Sequence, residues 1–375
     1  MSKNPLQKLE DFGQSPWLDF IRRHLITSGE LQRLIDQDGL KGVTSNPAIF
    51  DKAIEGSDDY DEAIRALANQ NKSVEEIYQN ITVEDIQWAA DVFYPLYEKV
   101  DGQDGYVSLE VNPHLARDTD GTLAEARRLW KTAGRPNIFI KVPATKEGLP
   151  AIQQLLSEGI NVNVTLLFGL PRYEEVAEAY IAGLEKRAKN GEPIARVASV
   201  ASFFLSRIDV LVDPMLEKIM AGGGDQATAA KNLRGQVAIA SAKMAYHHYK
   251  RIFGQERFKA LADKGARPQR VLWASTSTKN PDYPDIKYVE ALIGPNTVNT
   301  MPMETLEAYR DHGNPAPRLE EGVDEAAAVL QRLPELGIDL KQVTRQLVEE
   351  GIEKFNKPFD SLLNTLDKKR RQVTS

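Results

Sequence analysis

Short apolar runs alternate with long amphipathic stretches along this chain. The runs fall at 16–21, 41–46, 106–111, 138–142, 161–167, 196–204, 270–276 and 297–301 and read as β-strands. Between them, segments rich in Ala, Glu, Leu, Lys and Arg repeat their apolar positions with helical periodicity, as at 74–97, 122–133, 148–158, 172–189 and 225–253. Strands that alternate with helices run parallel, because each return along the sheet needs a crossover. Eight of them predict an α/β fold of the closed (β/α)₈ TIM-barrel class. No proline- or serine-rich linker and no fixed-period repeat divides the chain, so residues 1–375 are expected to form a single barrel domain with additional helices. From residue 323 the pattern is helical again, punctuated by Gly337 and Pro358, as a C-terminal extension over about 320–375. Gly222-Gly-Gly224 follows no strand directly and reads as a helix–helix turn rather than a phosphate loop.

A lysine sits inside one of the apolar runs. In Asn137-Ile-Phe-Ile-Lys-Val-Pro143, the neighbours Ile138, Phe139, Ile140 and Val142 are β-branched or aromatic, and Pro143 ends the run. A bare ammonium in an apolar interior is costly, so Lys141 must find partners or shed its charge. A lysine that is often neutral is a nucleophile able to form a Schiff base with a carbonyl. The alternative is an edge strand whose lysine keeps its head in water.

Side chains alternate faces along a strand, and in a barrel one parity points inward. Trp17 and Asp19 share a face, as do Thr44 and Asn46, while Tyr106, Ser108 and Glu110 oppose Val107, Leu109 and Val111. Lys141 opposes Ile138, Ile140 and Val142, and Asn161, Asn163 and Thr165 alternate with Val162, Val164 and Leu166. Ser202 falls with Phe204, and Trp273 with Ser275 and Ser277. One parity thus gathers Asp19, Asn46, Glu110, Lys141, Asn163, Thr165, Ser202 and Ser275 near the C-terminal halves of seven strands, the end where such barrels carry active sites. A strand-end Asp or Ser is often only a cap or turn former, but convergence from so many strands is hard to assign to capping.

Composition acts mainly by exclusion. At 42% hydrophobic and 27% charged residues, the chain is too apolar for disorder. A net charge of −7 argues against nucleic-acid or acidic-membrane partners, whereas a few local basic groups suffice for small phosphorylated substrates. The absence of cysteine removes disulfides, thiolate metal sites and a cysteine nucleophile, and fits a reducing cytosol. No apolar run approaches the roughly 18 residues of a membrane span. The opening residues lack a signal peptide's apolar stretch, so a soluble, cytoplasmic protein is expected. His24, His114, His247, His248 and His312 have no metal-pair spacing with a carboxylate and read as surface or core residues. Lys146, a rival nucleophile, follows Pro143 and Thr145 and is expected in a loop. The Lys368-Lys-Arg-Arg371 run reads as a solvated helix end that complements the dipole.

A lysine with two carboxylates and no metal-ligand set points to imine chemistry, in which the protonated imine is an electron sink for breaking or making an adjacent carbon–carbon bond. Asp19 and Glu110 are the candidate proton carriers, and the Asn, Thr and Ser residues suit sugar hydroxyls. Nearby carboxylates and burial pull a lysine's proton affinity in opposite directions, and the sequence leaves that contest open.

The segments Gly42-Val-Thr-Ser-Asn-Pro-Ala-Ile-Phe50, Val107-Ser-Leu-Glu-Val111, Ile138-Phe-Ile-Lys-Val-Pro-Ala-Thr145 and Asn161-Val-Asn-Val-Thr-Leu-Leu-Phe168 resemble the signature segments of transaldolases. Trp273-Ala-Ser-Thr-Ser-Thr-Lys-Asn-Pro281 and Asn299-Thr-Met-Pro302 look like those of the longer bacterial subgroup. The resemblance runs from about Asn4 to the C-terminus in motif order. It implies that Lys141 is the Schiff-base lysine, that Asp19 handles the proton of the hydroxyl at the cleaved bond, and that Glu110 with Thr165 holds a catalytic water. Asn46 and Asn163 would hold a dihydroxyacetone moiety with Thr44 beside them, Ser202 would lie near the donor's terminal hydroxyl, and Arg207 would bind phosphate. Where shorter relatives carry a second phosphate arginine two residues after the serine matched by Ser275, this chain has Ser277; Lys279 is the candidate substitute, as a point charge rather than a fork. Related sugar-phosphate aldolases tend to place a tyrosine at the position of Phe204 and an amide at that of Glu110, so the resemblance implies transfer rather than simple aldol cleavage. The resemblance implies small-molecule sugar-phosphate partners, no metal or organic cofactor, and a monomer or homodimer. Three competitors remain: a Schiff-base aldolase releasing free dihydroxyacetone, a metal-dependent aldolase or isomerase, and a non-catalytic sugar-phosphate sensor.

Overall fold

The computed structural model describes residues 3–374. Eight strands form the wall of a barrel: β1 (Gln14–Asp19), β2 (Gly42–Thr44), β3 (Tyr106–Glu110), β4 (Ile138–Pro143), β5 (Val162–Leu167), β6 (Ser199–Phe204), β7 (Arg270–Ala274) and β8 (Thr297–Met301). They pair in sequence order, all parallel, and β8 closes against β1. The register places Asp19 beside Thr44, Glu110 beside Lys141, and Lys141 beside Asn163, so polar side chains of successive strands meet at one level of the barrel.

Local chemistry accounts for several element ends. Helix Val74–Lys99 opens on a reciprocal cap between Ser73 and Glu76, and Thr119–Ala133 opens on Asp118 and ends at left-handed Gly134. The helical pattern over 225–253 is two helices, Gly224–Leu233 and Val237–Phe253, because Gly235 between them adopts φ +71°. Gly222-Gly-Gly224 does lie at a turn between helices. Below the polar level, the rings of Trp17, Tyr106 and Phe139 fill the barrel, with Tyr106 and Phe139 stacked at 4.3 Å between centroids. Gly42 makes room for them, since a Cβ there would lie 2.5 Å from the Trp17 ring and 2.8 Å from the Tyr106 carbonyl.

The C-terminal extension ends in one long helix, Leu340–Thr374, in which Pro358 causes no break. Its buried stripe includes Val343, Leu347, Phe355, Phe359, Leu362 and Leu366. The helix is tied to loops at the C-terminal mouth by His114–Asp360 at 2.8 Å and by an Arg117–Glu349 ion pair. Lys369, expected in solvent, instead anchors the helix end on Asp61 (2.7 Å) and the Ser57 carbonyl (2.8 Å). No helix among the described residues is long and apolar enough to cross a membrane.

Candidate active site

A cavity of about 210 Å³ opens at the C-terminal ends of the strands. Asp19, Thr44, Asn46, Lys141, Ser202, Phe204, Arg207, Ser275 and Lys279 line it, so most of the residues singled out from the sequence come together. Lys141 is 4% exposed, which excludes the solvated-lysine alternative. Its ammonium donates to Glu110 Oε2 at 3.3 Å and to the Ser45 carbonyl at 3.1 Å. Lys146 lies exposed in the turn after β4.

Burial pushes the Glu110 carboxyl above the usual carboxylate range; the Lys141 charge pulls it back, and the negative charge of Asp19 adds to the rise. Asp19 accepts a 2.6 Å hydrogen bond from Thr44, whose hydroxyl also meets Thr300 at 2.7 Å. Thr165 is fully buried, and its hydroxyl has no protein partner among the described residues. Asn163 lies behind the lining: it accepts from Ser202 at 2.6 Å and donates to Ser108 at 3.0 Å. Asn46 caps the helix Pro47–Glu55 by accepting from Ile49, while Pro47 supplies the first helical residue. Its side chain therefore combines the capping role with a place in the cavity.

The strand alternation fails at β7. Trp273 points out of the barrel, packing edge-on against Phe203 and donating to the Leu292 carbonyl at 3.1 Å. Ala274 and Ser275 are consecutive, yet both line the cavity, because Ser275 takes a left-handed φ of +55°. Ser275 then meets Ser206, hydroxyl to hydroxyl, at 2.8 Å. A similar φ at Leu166 accompanies the register shift at the end of β5. No glycine marks either position, so neither was legible in the sequence.

Arg207 stands in the first turn of helix Ser206–Ala221. Burial depresses its guanidinium, while Asp19, Glu350 and Glu110 favour its charge. Its Cζ lies 5.3 Å from the centroid of the Phe204 ring and 5.9 Å from that of Phe355, and buried Nη1 has no hydrogen-bond partner among the described residues. A buried donor of this kind beside a cavity and at a helix start suits an anion. Ser277 and Lys279 lie on the same lining, with the lysine donating to the serine at 2.6 Å. Thr300, Pro302 and Phe355 complete the lining and were not singled out from the sequence. The Asn299–Pro302 motif signals the first two; Phe355 stands out only as one member of an amphipathic stripe.

The family described as Transaldolase/Fructose-6-phosphate aldolase matches residues 16–366. A transaldolase of Trichodesmium erythraeum is 50% identical over the whole of both chains. A Nostoc punctiforme protein named transaldolase 2 is 48% identical over 98% of each chain. A transaldolase of Thermobifida fusca is 50% identical over 96% of this chain and 97% of its own. Matched over nearly its full length, on the barrel and lysine pocket just described, the chain belongs to the transaldolase/fructose-6-phosphate aldolase family.

Proposed function

We propose that this protein is a transaldolase moving a dihydroxyacetone unit from sedoheptulose 7-phosphate to glyceraldehyde 3-phosphate, giving erythrose 4-phosphate and fructose 6-phosphate. The observation that carries the reading is a buried lysine that shares one cavity with a carboxylate, Asp19, and an anion-ready arginine, and that pairs with buried Glu110 behind the lining. Lys141 attacks the ketone of the donor. Glu110, whose proton affinity burial raises, holds the proton the amine sheds and, with the Thr165 hydroxyl, the water that leaves as the imine forms. Asp19 takes the hydroxyl proton as the carbon–carbon bond breaks and the bonding electrons flow into the iminium. The first aldose phosphate departs, and the three-carbon enamine stays on Lys141. The enamine carbon then attacks the acceptor aldehyde, whose oxygen recovers the proton from Asp19, and water hydrolyses the new imine. Asn46 and Ser202 hold the three-carbon unit, with Asn163 fixing Ser202 from behind, while Arg207, Ser275 and Lys279 hold phosphate. Phe204 offers no proton donor to the enamine, which favours transfer over release. Phosphorylated sugars do not cross membranes unaided, which fits a cytoplasmic enzyme.

Borohydride reduction with fructose 6-phosphate, followed by peptide mass mapping, tests this. A three-carbon adduct is expected on the Lys141 peptide; no adduct, or one on Lys146 alone, overturns the proposal.

A further inference from the structure

We infer that Phe355, on the C-terminal helix, is a positioning residue whose ring keeps water from the lysine-bound three-carbon intermediate, so that the intermediate is transferred rather than released. The inference rests on the Schiff-base reading above and adds a residue from outside the barrel wall. The ring lies 5.5 Å from Lys141 Nζ by its centroid, is 6% exposed, and lines the catalytic cavity. Among the described residues it is the one contribution of the C-terminal helix to that lining.

The helix is seated close enough to make this contact dependable. One turn before Phe355, a Cβ on Gly351 would lie 2.8 Å from a methyl of Leu166, the left-handed residue at the end of β5. One turn after it, Phe359 packs edge-on against Tyr78 at 5.3 Å and against His114 at 5.8 Å, away from the cavity. The His114–Asp360 contact and the Lys369 anchor hold the remainder of the helix down. Phe355 is thus pressed over the amine by packing on both sides, and an apolar ring there occupies the space from which solvent would approach.

The chemistry at stake is a partition of the enamine. In transfer, its nucleophilic carbon forms a bond to the aldehyde carbon, and the aldehyde oxygen takes a proton. In release, the same carbon takes a proton, and water then adds to the iminium, expelling the amine and yielding free dihydroxyacetone. Hydrolysis of an imine ends both routes; what release alone needs is a solvent proton at the enamine carbon, the position the ring covers.

The test compares free dihydroxyacetone released with ketose phosphate formed, at saturating donor and acceptor, in the wild type and in Phe355→Ala, Phe355→Leu and Phe359→Ala. Saturation keeps altered binding through Arg207, which also faces the ring, out of the ratio. The expected result is a several-fold rise in release per transfer for Phe355→Ala, restoration towards the wild-type ratio by the bulky apolar leucine, and no change for Phe359→Ala, which loosens helix packing without opening the cavity. A wild-type ratio in Phe355→Ala, leucine behaving like alanine, or an equal rise in Phe359→Ala overturns the inference. Trapping the Lys141 adduct in each variant separates the two readings: adduct without a changed ratio defeats only the role of Phe355, and no adduct in the wild type defeats the Schiff-base mechanism itself.

Discussion

The two mouths of the barrel differ in how they treat charge. At the N-terminal mouth a cavity of about 330 Å³, larger than the catalytic one of about 210 Å³, is floored by Trp17, Tyr106 and Phe139 and rimmed by Lys41, Arg196, Arg267 and Arg270. Each of those cations has an acidic partner. Lys41 pairs with Glu10 at 3.0 Å, Arg196 and Arg267 each reach Asp101 at 2.7 Å, and Arg270 meets Asp104 at 3.1 Å besides Ser15 and the Thr297 carbonyl. At the C-terminal mouth Arg207 keeps a buried nitrogen without a partner, and the hydroxyl of Thr165 is equally unanswered among the described residues. The N-terminal cavity leaves only a neutral amide oxygen, Gln14 Oε1, unanswered among its described lining residues; it is the cation left without a partner that marks a site. Size alone would have chosen the wrong end.

Three substitutions sharpen that contrast, taken from the largest expected effect to the smallest. Glu110→Gln keeps the shape but removes the proton carrier, and kcat should fall by about 10²–10⁴-fold, the usual range for a positioned acid–base group. Its pH profile adds a sign. On the proposed mechanism the ionised carboxylate is the working base, and burial raises its pKa, so activity should be lost as pH falls through a value above the ordinary glutamate range. That acid limb should vanish from the kcat profile of the variant. If Glu110→Gln instead keeps both rate and limb, the glutamate is part of the wall.

Arg207→Met should raise KM for phosphorylated donors by roughly 10–100-fold, the scale of one lost hydrogen bond to a charged group, with little effect on unphosphorylated ones. Equal losses on both substrate types would show that the arginine acts through packing between Phe204 and Phe355 rather than through phosphate. At the other mouth, Arg270→Met should lower thermal stability by a few degrees, leaving Asp104 short of a partner, with kcat/KM of the folded enzyme unchanged. A loss of turnover without a loss of stability would mean that the N-terminal mouth has a function of its own.

Much of the catalytic centre was legible because period two is a strong signal where one face of a strand must be apolar. Lys141 among Ile138, Ile140 and Val142, and Glu110 against Leu109 and Val111, could not be reversed without driving both charges into the apolar layer between the barrel wall and its helices. The same reasoning misplaced Trp273, because alternation assumes an extended backbone and Ser275 leaves it without a glycine to announce the change. It also joined two helices across Gly235 and left Lys369 in solvent, since its partners Asp61 and Ser57 lie far away along the chain.

By itself, the amino-acid sequence determined the eight-stranded parallel barrel, the inward parity of Asp19, Glu110, Lys141 and Ser202, and the exclusion of cysteine chemistry. These follow from local periodicity and composition, which each segment carries within itself. Only the tertiary structure decided that Lys141 pairs with Glu110, that Arg207 Nη1 finds no partner among the described residues, and that Phe355, more than two hundred residues after Lys141, lines the cavity beside it. Those facts depend on which surfaces meet when the barrel closes and the last helix docks. No short-range pattern encodes such a meeting, because the apolar stripe of that helix would look the same against any other face of the barrel.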